Sequence, residues 1–389
     1  MGDQLIYLDN AATSFPKPRP VLDRMVDTYA RLGVSPGRGG YDLAMEAAAL
    51  VMQIRRKTAR FFSASDPDRV IFAANATDAL NLAIFGLVGP GDHVVSTRLE
   101  HNSVLRPLFH LRQQYGVHYD LVGFDRQGRV DPDAVARAIK PETKLVICTH
   151  ASNVLGTVQP VADIARVCAG RGVPLLLDTA QSAGHVPVEM DKWNVGAVAF
   201  TGHKALLGPS GIGGLVLSPG LQIKSTRFGG TGVDSRSPVH TQEFPHRLEA
   251  GTLNVLGVYG LSAGLDYLAE EGLERGHQRE MALLRRLYDG LNSMPGITLH
   301  SPKPADHDVP VLTCTVRGLS SEDVGAILDG DYGIAVRTGL HCAPLVHADL
   351  GTDAAGAVRF SPGRFNTDAD IDRALEAMQT ITSRRQPGK

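Results

Sequence analysis

Lys204 is the residue whose type and position best suit covalent chemistry in this chain. It ends the segment Thr201-Gly202-His203-Lys204, which directly follows the apolar run of residues 195–200. A lysine at the end of a strand, beside hydroxyl, histidine and glycine residues, can form an imine with an aldehyde cofactor. Most lysines are instead solvated surface groups. The position of Lys204 alone therefore leaves a catalytic and a surface role open.

Asp178 favours the catalytic interpretation of Lys204. It closes the run Val173-Pro174-Leu175-Leu176-Leu177, and no lysine or arginine lies near it in the sequence. A carboxylate in this position can pair with a cation in a cleft. Enzymes that use pyridoxal phosphate (PLP) need a lysine to bind the cofactor and an acid to keep its pyridine nitrogen protonated, so that the ring accepts electrons. The two residues together predict a PLP site.

Length and composition narrow the class of protein. The chain has 389 residues, of which 43% are hydrophobic and 21% charged, with a net charge of −2. This profile is typical of a soluble protein of two domains that binds small molecules, and gives no electrostatic reason for binding nucleic acid or membrane. The start lacks a signal-peptide pattern, and no stretch of 18 apolar residues occurs, which predicts a cytoplasmic location. The cysteines are widely spaced without a CxxC pattern, so we expect reduced thiols, no disulfide scaffold and no metal site.

The order of predicted elements indicates an α/β fold. Strands and helices alternate from residue 70 to residue 204, which predicts a mostly parallel sheet with both faces covered. A long helical region, residues 258–294, then leads into strands and helices that do not alternate strictly. We therefore expect a large cofactor-binding domain over residues 15–257. A smaller α+β domain is expected over residues 258–389, together with an N-terminal arm of residues 1–14.

Polar residues recur at or just after the ends of the predicted strands. Ligands bind at the carboxyl ends of the strands in such sheets, so their coincidence predicts one ligand site. Each residue alone has another explanation: a helix N-cap at residues 75–77, a loop histidine, a turn residue before Gly156, or a helix start. The residues are Thr77, His101, Asn153, Asp178 with Gln181, and His203 with Lys204.

A second chemical centre follows a predicted strand near the C-terminus, in Arg337-Thr338-Gly339-Leu340-His341-Cys342-Ala343-Pro344. A cysteine in a glycine-containing loop close to arginine and histidine can act as a thiolate nucleophile. An incidental loop thiol is the alternative. The other cysteines lie inside apolar patterns typical of the core. Arg359, on a predicted strand, has the planar guanidinium that suits a substrate carboxylate.

Together these residues resemble the class V aminotransferase family of PLP enzymes, and within it the cysteine desulfurases. The resemblance extends from Tyr7-Leu8-Asp9-Asn10-Ala11-Ala12-Thr13 to Asn366-Thr367. Its most specific motifs are Leu177-Asp178-Thr179-Ala180-Gln181-Ser182 and Thr201-Gly202-His203-Lys204. The segment from Arg337 to Ala343 resembles the short catalytic loop of the group that includes the SUF-system enzyme. The resemblance implies the fold of type I PLP-dependent transferases, with a seven-stranded sheet in the large domain.

The resemblance also implies residue roles. Lys204 would hold PLP covalently and move the substrate Cα proton, while Cys342 would take the substrate sulfur as a persulfide and release L-alanine from L-cysteine. His101 would stack on the ring. The other implied cofactor contacts are Asp178, Gln181, His203, Thr201, Thr77, Ala76 and Thr252, the last from the second subunit of a homodimer. Asn153, Asn10 and Arg359 would bind the amino acid, and a sulfur-acceptor protein would collect the product.

Other functions remain open at this stage. A selenocysteine lyase or another carbon–sulfur lyase would use the same PLP residues without needing Cys342 to carry sulfur. An aminotransferase or epimerase would need Lys204 and Asp178 but no nucleophilic cysteine. The chain could also be a non-catalytic partner that keeps the fold to bind a sulfur-carrier protein. Such a scaffold would not need Lys204, Asp178 and His101, so their presence argues against this function.

Overall fold

The computed structural model describes residues 5–37, 39–233 and 236–383. Its helices are α1 (Arg19–Leu32), α2 (Asp42–Phe61), α3 (Ala76–Leu87), α4 (Asn102–Tyr115), α5 (Pro132–Ala138), α6 (Val161–Gly170), α7 (Met190–Trp193), α8 (Val255–Glu271), α9 (Leu273–Asn292), α10 (Ser321–Tyr332), α11 (Pro344–Leu350) and α12 (Asp368–Ser383). Its strands are β1 (Ile6–Tyr7), β2 (Val70–Ala73), β3 (His93–Thr97), β4 (His118–Val122), β5 (Thr143–Thr149), β6 (Leu175–Asp178), β7 (Ala197–Thr201), β8 (Gly213–Leu217), β9 (Ile297–Leu299), β10 (Leu312–Val316), β11 (Ile334–Ala335) and β12 (Val358–Phe360).

The largest sheet has seven strands in the order β2-β8-β7-β6-β5-β3-β4. All neighbouring pairs from β7 to β4 are parallel, whereas β8 is antiparallel to both β2 and β7. The predicted mostly parallel sheet of an α/β fold is therefore confirmed. Because parallel strands place their carboxyl ends at one edge, the residues that follow β3, β5, β6 and β7 meet there.

Two apolar layers cover this sheet, one on each face. Along β5, Val146 and Cys148 pack into the layer that contains α2, α6 and α8, whereas Leu145 and Ile147 pack into the layer that contains α3 and α4. Successive side chains of a strand point to opposite faces, so a strand covered on both faces must be apolar throughout. This explains the continuous apolar runs in the sequence.

The C-terminal part forms a three-stranded antiparallel sheet in the order β12-β10-β9, and β1 pairs in parallel with β11. Its core joins α9, α10 and α12 with Ile6 and Leu8 of the N-terminal segment. The helical region predicted over residues 258–294 is two helices, because Gly272 takes the left-handed value φ 86° and ends α8.

Helix α8 crosses the predicted domain boundary at residue 257, and it packs its apolar residues into the core of the large sheet. The division into residues 15–257 and 258–389 stays a prediction. Within the part of the chain described above, no helix combines the length and the apolar character required to cross a membrane.

Candidate active site

A cavity of about 310 Å³ lies where the carboxyl ends of the parallel strands meet the start of α3. The structure brings together most of the predicted cofactor residues there. Those lining the cavity are Ala76, Thr77, His101, Asn153, Asp178, Gln181, Thr201, His203 and Lys204. Although they are spread over 129 positions of the sequence, the parallel strands and their following loops place them around one space.

Lys204 and Asp178 form the electrostatic centre of this cavity. Burial lowers the pKa of Lys204 to about 8, and the charge of Asp178 opposes this shift. Burial raises the pKa of Asp178, against the hydrogen bond from the Ala180 amide and the charge of Lys204. The Ala180 N–H donates to Asp178 Oδ1 at 2.9 Å. A buried carboxyl with one fixed hydrogen bond is suited to receive a cationic ligand atom.

The N-terminal segment holds the backbone of His203 and Lys204 in place. The Thr13 hydroxyl donates to the carbonyl oxygen of His203 at 2.9 Å, and the Ser14 hydroxyl donates to that of Lys204 at 2.9 Å. Gln181 donates its side-chain amide to the carbonyl oxygen of Ala11 at 3.0 Å. The N-terminal arm, which begins with β1, therefore helps to position the lysine through contacts with residues that follow the strands of the large sheet.

His101 caps α4 and is held as a neutral ring. Its Nδ1 accepts the Ser103 N–H at 3.0 Å, which leaves the ring proton on Nε2. Burial lowers the pKa of His101 to about 4, and the charges of Lys204 and Arg337 add to the shift. The Ser103 hydroxyl lies 2.7 Å from His101 Nδ1 and 2.7 Å from the Thr77 hydroxyl. Ser103 thus ties the histidine to the start of α3, a contact that the sequence analysis did not assign.

The first turn of α3 faces the cavity beside Thr201. The amides of Ala76 and Thr77 lie in that turn and have no partner within the helix, as at every helix N-terminus, so they suit an anion. Thr201 Oγ1 is buried and has no hydrogen-bond partner. Gly213 allows the start of α3 to lie close to the end of β7, because a Cβ atom at Gly213 would lie 2.5 Å from the Phe200 carbonyl oxygen and 2.8 Å from Asn75 Cα. These donors form a cradle with the hydrogen-bonding chemistry that a phosphate needs.

Arg359 is fully buried on β12 and contacts Asn153, which lines the cavity. Its Nη2 donates to Asp9 Oδ1 at 2.7 Å, its Nη1 donates to the Asn153 carbonyl oxygen at 3.1 Å, and its Nε has no partner. Asp9 is a partner that sequence reasoning missed, although it lies in the motif around residue 10. The arrangement leaves one donor of a buried cationic group without a partner.

Cys342 lies in a second cavity of about 510 Å³, which adjoins the first through the shared side chains of Thr77, His101 and Ser103. The Arg337 Nη2 donates to the half-buried Cys342 Sγ at 3.1 Å. The other three thiols are buried among apolar residues, and burial raises the pKa of Cys168 and of Cys314 to about 12. The structure therefore places one accessible thiol, paired with a cation, beside the lysine cavity.

The backbone of the cysteine loop is held in an unusual conformation. His341 and Cys342 both take left-handed values, φ 49° and φ 59°, which non-glycine residues rarely adopt. The Asn153 amide donates to the His341 carbonyl oxygen at 2.6 Å, and the Asn102 N–H donates to the Cys342 carbonyl oxygen at 2.8 Å. Asn153, predicted to contact substrate, therefore also anchors the loop that carries the thiol.

A chain of buried side chains supports this loop from behind. His341 Nδ1 lies 3.0 Å from His347 Nε2, and His347 Nδ1 lies 2.8 Å from the Thr352 hydroxyl. Burial lowers the pKa of His341 to about 2 and that of His347 to about 4, so both rings are neutral near pH 7. The spacing of these residues on and after α11 was a signal that the sequence analysis did not use.

Besides Arg359 and Cys342, two further predicted site residues, Thr252 and Asn10, do not line the lysine cavity. Thr252 is exposed and lines a separate cavity of about 400 Å³. The side chain of Asn10 donates to the carbonyl oxygens of Tyr7 and Ser361 and accepts the Phe15 N–H, so it fastens the N-terminal arm. Both positions were assigned from the resemblance, without geometry of their own.

Comparisons with known proteins agree with this site. The sequence model described as aminotransferase class-V matches residues 6–374. A Methanothermobacter thermautotrophicus protein named "Probable cysteine desulfurase" is 36% identical over 383 residues, covering 97% of this chain and 94% of the relative. A Yersinia pestis protein named "Cysteine desulfurase" is 33% identical, with coverage of 98% and 94%.

A solved structure has the same fold over nearly its whole length. The apo cysteine desulfurase of Thermococcus onnurineus superimposes with a TM-score of 0.91 at 33% identity, covering 97% of this chain and 95% of that one. The match in sequence and the match in structure both extend over the seven-stranded sheet, the three-stranded sheet and the cysteine loop. This chain belongs to the aminotransferase class-V family of PLP-dependent enzymes.

Proposed function

We propose that the protein is a PLP-dependent cysteine desulfurase, which converts L-cysteine to L-alanine and leaves the sulfur on Cys342 as a persulfide. One observation carries the choice of reaction: the Cys342 thiol, contacted by Arg337, lies in a cavity that adjoins the one lined by Lys204 and Asp178. An aminotransferase or an epimerase has no use for a thiol in this place.

The residues of the lysine cavity fit the cofactor. The unpartnered Thr201 hydroxyl, the first amides of α3 and His203 would hold the phosphate, and the buried Asp178 carboxylate would pair with the pyridine nitrogen. Gln181 and His101 would contact the ring. When bound, PLP supplies an electron sink that stabilises negative charge at the substrate Cα.

Lys204 and Arg359 would handle the amino acid. With a pKa of about 8, the Lys204 amine is partly unprotonated near neutral pH and can take up the Cα proton of the substrate. Arg359 would bind the substrate carboxylate through its free Nε, while Asp9 and the Asn153 carbonyl fix the guanidinium plane. His101, neutral and held by Ser103, keeps its place without adding positive charge.

Cys342 would take the sulfur. Its thiolate attacks the substrate sulfur, so that an S–S bond forms and the Cβ–S bond of the substrate breaks. The electron pair of the broken bond stays with the carbon fragment. The proton lost by the thiol is matched by one gained at Cβ, which gives the methyl group of alanine. Arg337 supports this step because its Nη2 donates to the Cys342 sulfur and holds it beside the lysine cavity.

The test is turnover of L-cysteine by the PLP-loaded protein with a thiol reductant, measured as alanine and sulfide. Cys342→Ala should abolish both products, while Cys168→Ala, which removes a buried thiol away from the loop, should retain them. If Cys342→Ala keeps wild-type turnover, a carbon–sulfur lyase or selenocysteine lyase is the better assignment. If the wild type leaves cysteine unchanged, the substrate assignment is wrong.

The assembly and its partners are part of the same proposal. We propose a homodimer in which the partner subunit's Thr252 completes the phosphate site. Support comes from the position of this chain's own Thr252, which lines a cavity separate from the lysine cavity, and from the exposed side chains of Met45, Phe228 and Val239. A solution mass of twice 41.5 kDa is expected. A sulfur-acceptor protein, a cytoplasmic location and the SUF-type subgroup remain proposals.

A further inference from the structure

A cluster of three ligand-bearing side chains lies outside the active site. His185 follows β6, whereas His277 and Glu280 lie one turn apart on α9. One ligand atom of each residue lies within 4.8 Å of the other two. His277 is 7% exposed and Glu280 is 2% exposed. The two histidines also line a groove of about 700 Å³ that contains none of the residues around Lys204.

His277 has a buried ring nitrogen whose lone pair is unused. Its Nε2 lies 3.0 Å from the carbonyl oxygen of Asp306, which can only accept, so Nε2 carries the ring hydrogen. The Nδ1 atom is therefore an acceptor, and it is buried without a hydrogen-bond partner. Buried polar atoms nearly always have partners. A histidine whose second nitrogen is fixed by a backbone carbonyl is the arrangement found for metal-binding imidazoles.

The charges around the cluster are compatible with a cation. Glu280 Oε2 lies 3.0 Å from His185 Nδ1, and Glu280 Oε1 lies 4.0 Å from Arg364 Nε. The Arg364 guanidinium faces Glu280 through its Nε, which has no hydrogen-bond partner, while its Nη1 donates to Glu271 at 2.7 Å and its Nη2 donates to the Gly184 carbonyl oxygen at 2.7 Å. Glu271 also pairs with Arg279. Because the Arg364 Nε lies 4.0 Å from Glu280 and makes no hydrogen bond to it, the carboxylate keeps lone pairs for the two imidazoles and their ligand.

We propose that His185, His277 and Glu280 bind a divalent transition-metal ion of the zinc type. Two imidazoles and one carboxylate form a ligand set that zinc uses, with one further position for water. The His-x-x-Glu spacing places the two α9 ligands on one helix face, and His185 brings the third from the loop after β6. The ion would link α9 to the loop after β6. It has no part in the reaction proposed for Cys342.

The test measures zinc retention by the full-length, PLP-loaded protein. All samples carry Cys342→Ala, so that the accessible thiol binds no zinc. After equilibrium dialysis against zinc, the parent should hold one ion per chain, and His277→Gln and Glu280→Gln should lower the affinity by about 100-fold or more. His118→Gln is the matched control, since it removes an exposed histidine outside the cluster and should bind as the parent does.

Two readouts keep the proposal testable if a variant folds poorly. PLP absorbance and circular dichroism report the fold of each variant, and Co²⁺ added to the parent should give visible d–d bands that equimolar Zn²⁺ removes. Zinc should also raise the melting temperature of the parent and of His118→Gln but not of His277→Gln. A parent that retains no zinc and gives no cobalt bands would overturn the proposal, as would equal zinc binding by the parent, His277→Gln and Glu280→Gln.

Discussion

Replacing His347 by phenylalanine tests whether the buried histidine pair holds the cysteine loop in its reactive conformation. His347 is fully buried, and its Nε2 lies 3.0 Å from His341 Nδ1. Phenylalanine fills a similar volume but offers no hydrogen bond, so Nδ1 of the 2%-exposed His341 ring loses its partner. Leaving a buried polar group unpaired costs about 1–3 kcal/mol.

The backbone conformation of the cysteine loop depends on the contacts around it. His341 and Cys342 are both left-handed, and each such non-glycine residue costs about 1–3 kcal/mol that surrounding contacts must offset. A loss of about 2 kcal/mol lowers the ratio of the present loop conformation to its alternatives by about 30-fold. We therefore expect His347→Phe to slow persulfide formation by about 5- to 100-fold, with PLP binding unchanged because His347 does not line the lysine cavity.

The assay is a single turnover with L-cysteine, in which persulfide on Cys342 is measured by mass spectrometry and PLP content by absorbance. Thr352→Val serves as the control, because it removes the hydroxyl 2.8 Å from His347 Nδ1 but leaves the contact between the two histidines. It should lower stability and have a smaller effect on turnover. The reasoning is refuted if His347→Phe forms persulfide at the wild-type rate, or if Thr352→Val slows the reaction equally.

Three further outcomes are expected. Asp178→Asn should reduce kcat at least about 30-fold at unchanged PLP content. The variant removes one partner of the proposed buried charge pair between Asp178 and the pyridine nitrogen, and such a loss costs about 2 kcal/mol or more. An unchanged kcat would contradict the assigned role. Stability should fall from pH 7 to pH 5, because burial lowers the pKa of His150 to about 4 as well as those of His341 and His347, so the unfolded chain binds protons first below pH 6.5. Each histidine then costs up to about 2 kcal/mol at pH 5, and His150→Gln should reduce the change in urea midpoint. Burial raises the pKa of Glu100 to about 8, so its contribution to stability is present below pH 4.5 and is lost as pH rises through 8. Glu100→Gln should therefore raise the urea midpoint at pH 9, where the buried carboxyl is ionised. A lower midpoint of this variant would argue against the raised pKa.

The sequence predicted the centre of the site because its chemistry is local. Apolar runs that end in Asp178 or lead into Lys204 reveal buried parallel strands, and parallel strands deliver the residues after them to one edge. Lys204, Asp178, His101 and Thr77 therefore came together as expected. The N-cap pattern around residues 75–78 likewise predicted the start of α3, where Asn75 accepts the Asp78 N–H.

Contacts between residues far apart in the chain could not be predicted from the sequence. The position of β8 between β2 and β7 depends on pairing across more than 140 residues, and no local pattern gives that order. The Asn153 amide is used by the loop 188 residues later, and Arg359 pairs with Asp9 across 350 residues. The break at Gly272 was missed because apolar periodicity continues on both sides of it. His185 and His277 come together only through tertiary packing.

Gly213 shows how a residue without a functional group can be indispensable to catalysis. Any side chain there would meet the Phe200 carbonyl and Asn75, and would push the start of α3 away from Thr201. In a scan of all single substitutions for activity, we expect Gly213 to tolerate as few replacements as Lys204. The scan would give both positions the same low tolerance. Lys204 is intolerant because its amine reacts, and Gly213 because a side chain there would displace the start of α3. Only the geometry separates these two kinds of intolerance.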